Sequence, residues 1–302
     1  MREMVVLSGK GGTGKTSVTA ALAVLAGRSV VADCDVDASN LPLVLAPANR
    51  RRETFTGGVR AEIQANKCAA CGKCAELCRF DAIFQDGPGH DGVPRTFRVE
   101  PSACEGCGVC AAFCPEDAIR MNVVDGGEWY LSETRCGPMV HARLRPGHGN
   151  SGKLVAIVRQ QARRAADEGG RLMILIDGPP GIGCPAIASL TGASLLLVVT
   201  EPTPSGEHDL NRVLALARHF GVPALVCVNK CDLNLEIAER IERHAAELGA
   251  GVAGRIPYDP AITAAQRLGK TIVEHDHGPA AKAITELWNT ISKRSSYGHF
   301  IK

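Results

Sequence analysis

Short apolar runs alternate along this chain with longer stretches in which apolar positions recur at helical spacing. Residues 3–8, 30–32, 172–176, 195–200 and 224–228 read as strands. Residues 15–25, 151–166, 206–219, 235–248 and 279–292 read as helices. Such alternation predicts an α/β fold, a doubly wound and mostly parallel sheet with helices on its faces. The alternation breaks between the second strand and residue 172, so whatever lies there is an insertion and not a tail. Thr56-Gly57-Gly58 and Asp125-Gly126-Gly127 are its hinges. The expected organisation is therefore a first part of the α/β domain at 1–58, a small α+β insert at 59–124 and the rest of the α/β domain at 125–302.

The first strand runs directly into Ser8-Gly9-Lys10-Gly11-Gly12-Thr13-Gly14-Lys15-Thr16-Ser17. Strand, Gly-rich turn and helix in that order form an anion site, because backbone N–H groups and the helix N-terminus converge on phosphate oxygens. Lys15 is placed to reach the β- and γ-phosphates of a nucleotide, and the Thr16 hydroxyl to bind Mg2+. The run at 172–176 ends in Asp177-Gly178-Pro179-Pro180-Gly181, with Asp177 at the strand end where a carboxylate holds the magnesium shell.

The insert carries Cys-x2-Cys-x2-Cys-x3-Cys twice, as Cys68, Cys71, Cys74, Cys78 and as Cys104, Cys107, Cys110, Cys114. The two copies are internal repeats, offset by 36 positions as Cys71 and Cys107 are. In such runs three thiolates serve one [4Fe-4S] cluster and the fourth serves its neighbour. Crossed ligation assigns Cys68, Cys71, Cys74 and Cys114 to one cluster, and Cys104, Cys107, Cys110 and Cys78 to the other. Zinc is the competing reading, although its sites are written as separated Cys pairs. A disulfide framework would need an oxidising compartment, and no secretory signal precedes the first strand.

Composition narrows the class further. The chain has 302 residues, 45% of them hydrophobic, and a net charge of +2, which gives no electrostatic footprint for nucleic acid. No apolar run reaches the roughly 20 residues of a membrane span. A stable membrane anchor is not expected, and the thiol content points to a reducing, cytoplasmic setting. Five cysteines lie outside the repeats: Cys34, Cys136, Cys184, Cys227 and Cys231.

The Lys10–Thr16 form of the loop, with Lys10 ahead of Lys15, resembles the deviant phosphate loop of the MinD/ParA/nitrogenase-iron-protein class of ATPases. The resemblance implies ATP and Mg2+ as ligands and a sandwich dimer in which Lys10 reaches the partner's phosphates. It implies that Asp37 positions the attacking water, that Asn229 contacts adenine, and that Pro257 and Asp259 border the base. The insert resembles bacterial two-cluster ferredoxins down to Pro115, with Arg79 departing from the pattern in the first copy. Cys184 stands seven residues after Asp177, where the nitrogenase iron protein places a ligand of its subunit-bridging cluster. Its companion position, after Pro146-Gly147-His148-Gly149, is Asn150, so Cys136 is the available substitute, and a buried structural thiol is the competing reading. The whole resembles MinD-superfamily ATPases with an inserted ferredoxin. This implies nucleotide-dependent homodimerisation, or pairing with a paralogous ATPase, gating electron transfer to a redox partner. The alternative is a positioning or partition ATPase with structural or redox-sensing clusters.

Overall fold

The computed structural model describes residues 1–145 and 149–296, and the Pro146–His148 part of the resemblance just noted lies outside them. Two compact units divide the chain. One comprises Met1–Glu53, Trp129–Arg143 and Ser151–Lys302; the other comprises Thr54–Glu128 and Leu144–Asn150. The second unit thus begins earlier and ends later than the 59–124 span expected from the glycine hinges, and it takes in a further short segment.

The first unit grows from β1 (Arg2–Ser8), every residue of which after Arg2 is buried. Helix α1 (Lys15–Ala26) follows, then β2 (Val30–Asp33) and the short α2 (Leu41–Leu45). The chain continues through β3 (Ala48–Ile63) into the second unit. There it forms α3 (Lys73–Glu76), β4 (Ile83–Gly87), β5 (Thr96–Val99) and α4 (Val109–Ala112). It returns through β6 (Ile119–Thr134), which makes a hairpin with β7 (Gly137–Leu144). Regular alternation then resumes with α5 (Ser151–Glu168), β8 (Met173–Pro180), α6 (Cys184–Leu190), β9 (Leu195–Thr200) and α7 (Pro204–His219). It ends with β10 (Ala224–Asn229), α8 (Leu235–Glu247), β11 (Gly251–Ile256), α9 (Pro260–Arg267), α10 (Ile272–His275) and α11 (Pro279–Ser296).

Nine strands form one sheet in the order β11-β10-β9-β1-β8-β2-β7-β6-β3. β1 pairs in parallel with both β8 and β9, and β2 in parallel with β8 and β7. The long β3 and β6 were not visible in the apolar pattern. Their exposed charged positions hide the strand period, and Gly57, Gly58, Gly126 and Gly127, read as hinges, lie inside them.

Local chemistry sets the helix starts. Thr203 accepts from the Gly206 N–H and Pro204 occupies the first turn, so α7 begins before the predicted residue 206. Asn234 caps α8 and Asp259 caps α9 in the same way. The central sheet buries Leu7, Met139, Ile174, Leu175, Ile176 and Leu196 completely, and Leu22 of α1 and Leu154 of α5 close over it.

A buried ion pair joins β1 to α5. Arg159 of α5 pairs with Glu3 of β1 and also donates to the carbonyls of Ala188 and Thr191, both at 2.7 Å, at the end of α6. Burial opposes charge on Glu3, but Arg163 and Arg159 together hold its carboxyl below the usual range. We expect Arg159→Ala to cost about 3 kcal/mol in chemical denaturation, because it strips Glu3 of its buried partner, and Glu3→Leu combined with Arg159→Met to cost far less. Equal losses in the two variants would contradict this account.

Candidate functional site

Asp177 lies within β8, fully buried, and gathers α1 around its carboxylate. Lys15 Nζ donates to Oδ1 at 2.9 Å, Thr19 Oγ1 to Oδ1 at 3.0 Å and Thr16 Oγ1 to Oδ2 at 2.7 Å. Lys15 also lies 3.7 Å from Asp35. Burial opposes the Lys15 charge, yet Asp177, Asp35 and Asp33 outweigh it and raise its pKa. Gly14 makes the turn possible with φ 85°, and a Cβ there would run into the Asn229 amide.

A large cavity opens above this turn. Gly11, Gly12, Thr13, Lys15, Thr16 and Ser17 line one side, and Asp35, Asp37, Ala38 and Asn40 the other. Asp37, the expected water-positioning residue, is exposed on the cavity wall. Asp35, which sequence reasoning passed over, lies closer to Lys15. The repeated Asp-x-Asp of Asp33-Cys34-Asp35-Val36-Asp37 was the signal available for it. Thr263, Gln266 and Arg267 of α9 also line the cavity, and nothing in the local sequence marks them.

A second cavity adjoins the first and shares Gly12, Gly14, Ser17, Thr263 and Gln266 with it. It is lined further by Asn229, Lys230, Pro257, Tyr258 and Asp259, so the predicted base-side residues do come together. Asn229 Nδ2 donates to the Thr13 carbonyl at 2.7 Å, whereas its buried Oδ1 has no protein partner. Asp259 Oδ1 accepts from the Ala261 N–H at 2.9 Å, which makes it a cap as well as a wall.

Lys10 does not line its own phosphate cavity. Its Nζ lies 3.1 Å from Ser205 Oγ, 3.4 Å from Thr203 Oγ1 and 3.4 Å from Glu201 Oε2. Gly9, beside it, packs against Asp209 of α7.

In the second unit the eight repeat cysteines surround two small cavities of equal volume, ≈ 20 Å³ each. Cys68, Cys71, Cys74 and Cys114 line one; Cys78, Cys104, Cys107 and Cys110 line the other. The backbone repeats as the sequence does. Positive φ recurs at Ala70 and Gly106, Gly72 and Gly108, and Asp81 and Asp117, each pair 36 positions apart. The N–H of Ala82 points at Cys78 Sγ (3.4 Å) and that of Ala118 at Cys114 Sγ (3.3 Å). Burial pushes the Cys74 thiol up to about 11 and raises Cys110 as well. Among the described residues, no group of three or more His, Cys, Asp or Glu is gathered to hold a single metal ion.

The remaining cysteines separate cleanly. Cys34, Cys227 and Cys136 are buried, and Cys136 packs in the core of the first unit. Cys184 is exposed at the first turn of α6, which corrects its reading as a buried thiol, and the burial of Cys136 removes it as an exposed companion. Cys231 is buried beside the base-side cavity.

Asp33 supplies the pH dependence of the site. Its carboxyl accepts from the Asp35 N–H (3.1 Å), Ser39 Oγ (2.8 Å) and the Leu41 N–H (3.3 Å). Complete burial, then Asp177, push it up to about 8 against the opposing pull of Lys15. A folded chain that holds this proton more tightly than the unfolded chain loses stability as pH rises through the window between the two pKa values. Thermal melts of the nucleotide-free protein should therefore fall from pH ~5 to ~8 relative to Asp33→Asn, by up to ~1.4 kcal/mol per pH unit. Parallel curves for the two proteins would refute that assignment.

Comparison with known proteins places this geometry. Residues 4–272 match the CobQ/CobB/MinD/ParA nucleotide binding domain. An uncharacterized protein of Methanocaldococcus jannaschii is 35% identical over 236 residues, covering 77% of this chain and 79% of that protein. The chloroplastic septum site-determining protein minD homolog of Arabidopsis thaliana is 25% identical over 281 residues, covering 90% of this chain and 68% of its own length. Among solved structures, the septum site-determining protein MinD of Pyrococcus horikoshii complexed with Mg-ADP superimposes with a TM-score of 0.60 at 20% identity, covering 98% of each chain. The MinC:MinD complex of Aquifex aeolicus gives a TM-score of 0.56 at 18% identity, covering 97% of this chain and 96% of that one. The family match covers most of the sequence, and the chain is a member of the CobQ/CobB/MinD/ParA family.

Proposed function

We propose that this protein is an ATP-hydrolysing iron–sulfur protein in which nucleotide-dependent dimerisation gates electron transfer. The observation that carries the iron–sulfur half is the lining of the two cysteine cavities. Each is surrounded by three thiols of one repeat and the fourth of the other, the crossed set that two [4Fe-4S] clusters require. Zinc sites are written as separated Cys pairs, whereas here eight thiols fall into two crossed sets of four. Buried thiols with raised pKa become thiolates when iron binds, so the donor chemistry fits the group. Bound there, the clusters supply one-electron redox chemistry. The N–H groups of Ala82 and Ala118 are placed to stabilise thiolate charge on Cys78 and Cys114.

In the nucleotide half, Lys15 exchanges its bonds to Asp177 and Asp35 for the phosphates. Thr16 and Asp177 would hold the shell of Mg2+, a hard cation suited to their oxygens. Asp35 beside Lys15 and the exposed Asp37 are the carboxylates available to position water. The unpartnered Asn229 Oδ1 is an acceptor for the adenine amino group. Lys10, turned away from its own cavity, is left to act on a partner's phosphates, the partner being a second copy or a paralogue.

A positioning or partition ATPase is the second reading, favoured by the MinD relatives, with the clusters as structural or redox-sensing parts. No described helix is long and apolar enough to cross a membrane. Two measurements decide. Anaerobically purified protein should contain about eight iron and eight sulfide per chain, and zinc without acid-labile sulfide would end the iron–sulfur reading. ATP affinity, titrated against fully reduced and fully oxidised protein, should differ, and by linkage ATP should shift the cluster potential by the matching free energy. Equal affinities together with clusters insensitive to ATP would favour the positioning reading.

A further inference from the structure

We infer that Glu201 is a positioning residue that holds Lys10 in reserve until nucleotide arrives, and so sets the ATP concentration at which two chains associate. The inference rests on the proposed role of Lys10 toward a partner's phosphate. Glu201 closes the end of β9 with its side chain only 12% exposed, and two ammonium groups compete for it. Lys230 Nζ holds Oε1 at 2.5 Å and also donates to the Gly12 carbonyl of the phosphate loop at 3.2 Å. Lys10 Nζ has the looser share, 3.4 Å from Oε2, and its side chain is 33% exposed.

The setting makes that share matter. Thr203 and Ser205, the other partners of Lys10, stand at the N-terminus of α7, the positive end of a 16-residue helix. A cation is disfavoured there, and Thr203 already accepts the Gly206 N–H as a cap. Among the described residues Glu201 is the carboxylate in ion-pair range of Lys10. Neutralising it leaves Lys10 against the helix dipole with two hydroxyl contacts, while Lys230 keeps its Gly12 anchor. The resting position of Lys10 is thereby weakened and its extended position is unchanged.

Glu201→Gln should therefore lower the ATP concentration that half-saturates dimer formation by about fivefold, the equivalent of ~1 kcal/mol for one partly exposed pair. Glu201→Asp, which keeps the charge, should restore most of the wild-type value. Affinity of the monomer for ADP, which offers Lys10 no γ-phosphate across a dimer, should stay the same in all three proteins. Analytical ultracentrifugation across an ATP series, with Lys10→Ala and the Lys10→Ala/Glu201→Gln double variant alongside, reads each quantity. A double variant that behaves as Lys10→Ala alone supports the inference. If Lys10→Ala abolishes ATP-dependent dimers while Glu201→Gln matches or weakens wild type, the reserve role is wrong and the role of Lys10 stands. If Lys10→Ala dimerises as wild type does, the role of Lys10 falls, and the reserve role with it. Loss of ADP affinity in Glu201→Gln would show instead that Glu201 supports the loop through Lys230.

Discussion

The nucleotide half of this protein is organised by one carboxylate. Asp177 takes three donors from the first turns of α1, and through them it ties the phosphate loop to the strand beside β1. Asp33, Asp35 and Asp177 together face a single buried lysine. The nucleotide-free site therefore carries more carboxylate than cation, and one of the three, Asp33, answers by keeping its proton. On the proposed function, a divalent ion arriving with phosphates would change that balance in one step, bringing positive charge to Asp177 and freeing Lys15 for phosphate oxygen.

Most of this half was legible from residues alone because strands, loops and ligands coincide. The apolar runs of β1, β8 and β10 stop at Ser8, Asp177 and Asn229, where polar chemistry starts, and the parallel sheet brings those positions to one edge. Lys15, Thr16 and Asp177 were read that way, whereas Asn229 came from the resemblance to a known family. What escaped was set by side-chain partnership at long range. Gln266 reaches Ser17 at 2.7 Å across 249 positions, and Glu201 meets Lys10 and Lys230 from a separate strand. Neither has a local pattern. The choice between Asp35 and Asp37 escaped for another reason: an Asp at every second position gives two registers for the same motif, and depth in the cavity, which separates them, is invisible in sequence.

The cysteine-rich unit shows the converse. Its repeat was plain in the sequence, and the repeat of positive φ at offset 36 shows that the backbone obeys the same duplication. Its edges were not plain. Glycine pairs that look like hinges lie inside the long β3 and β6, because a glycine weakens a strand without ending it when both neighbours keep their pairing. The unit's limits follow packing instead, at Thr54 and Glu128.

The pairing of β1 with β8 joins Arg2 to Met173. β1 waits for its central neighbour β8 until more than half the length of this chain has been added after it. All eight repeat cysteines, the last at Cys114, emerge during that interval. Chains fold by units as they are made, and distant parallel pairings form late. The segments of the cysteine-rich unit are thus all made before Asp177 exists. On the proposed function, birth order separates the two chemistries: the thiol sites come first and the nucleotide site second.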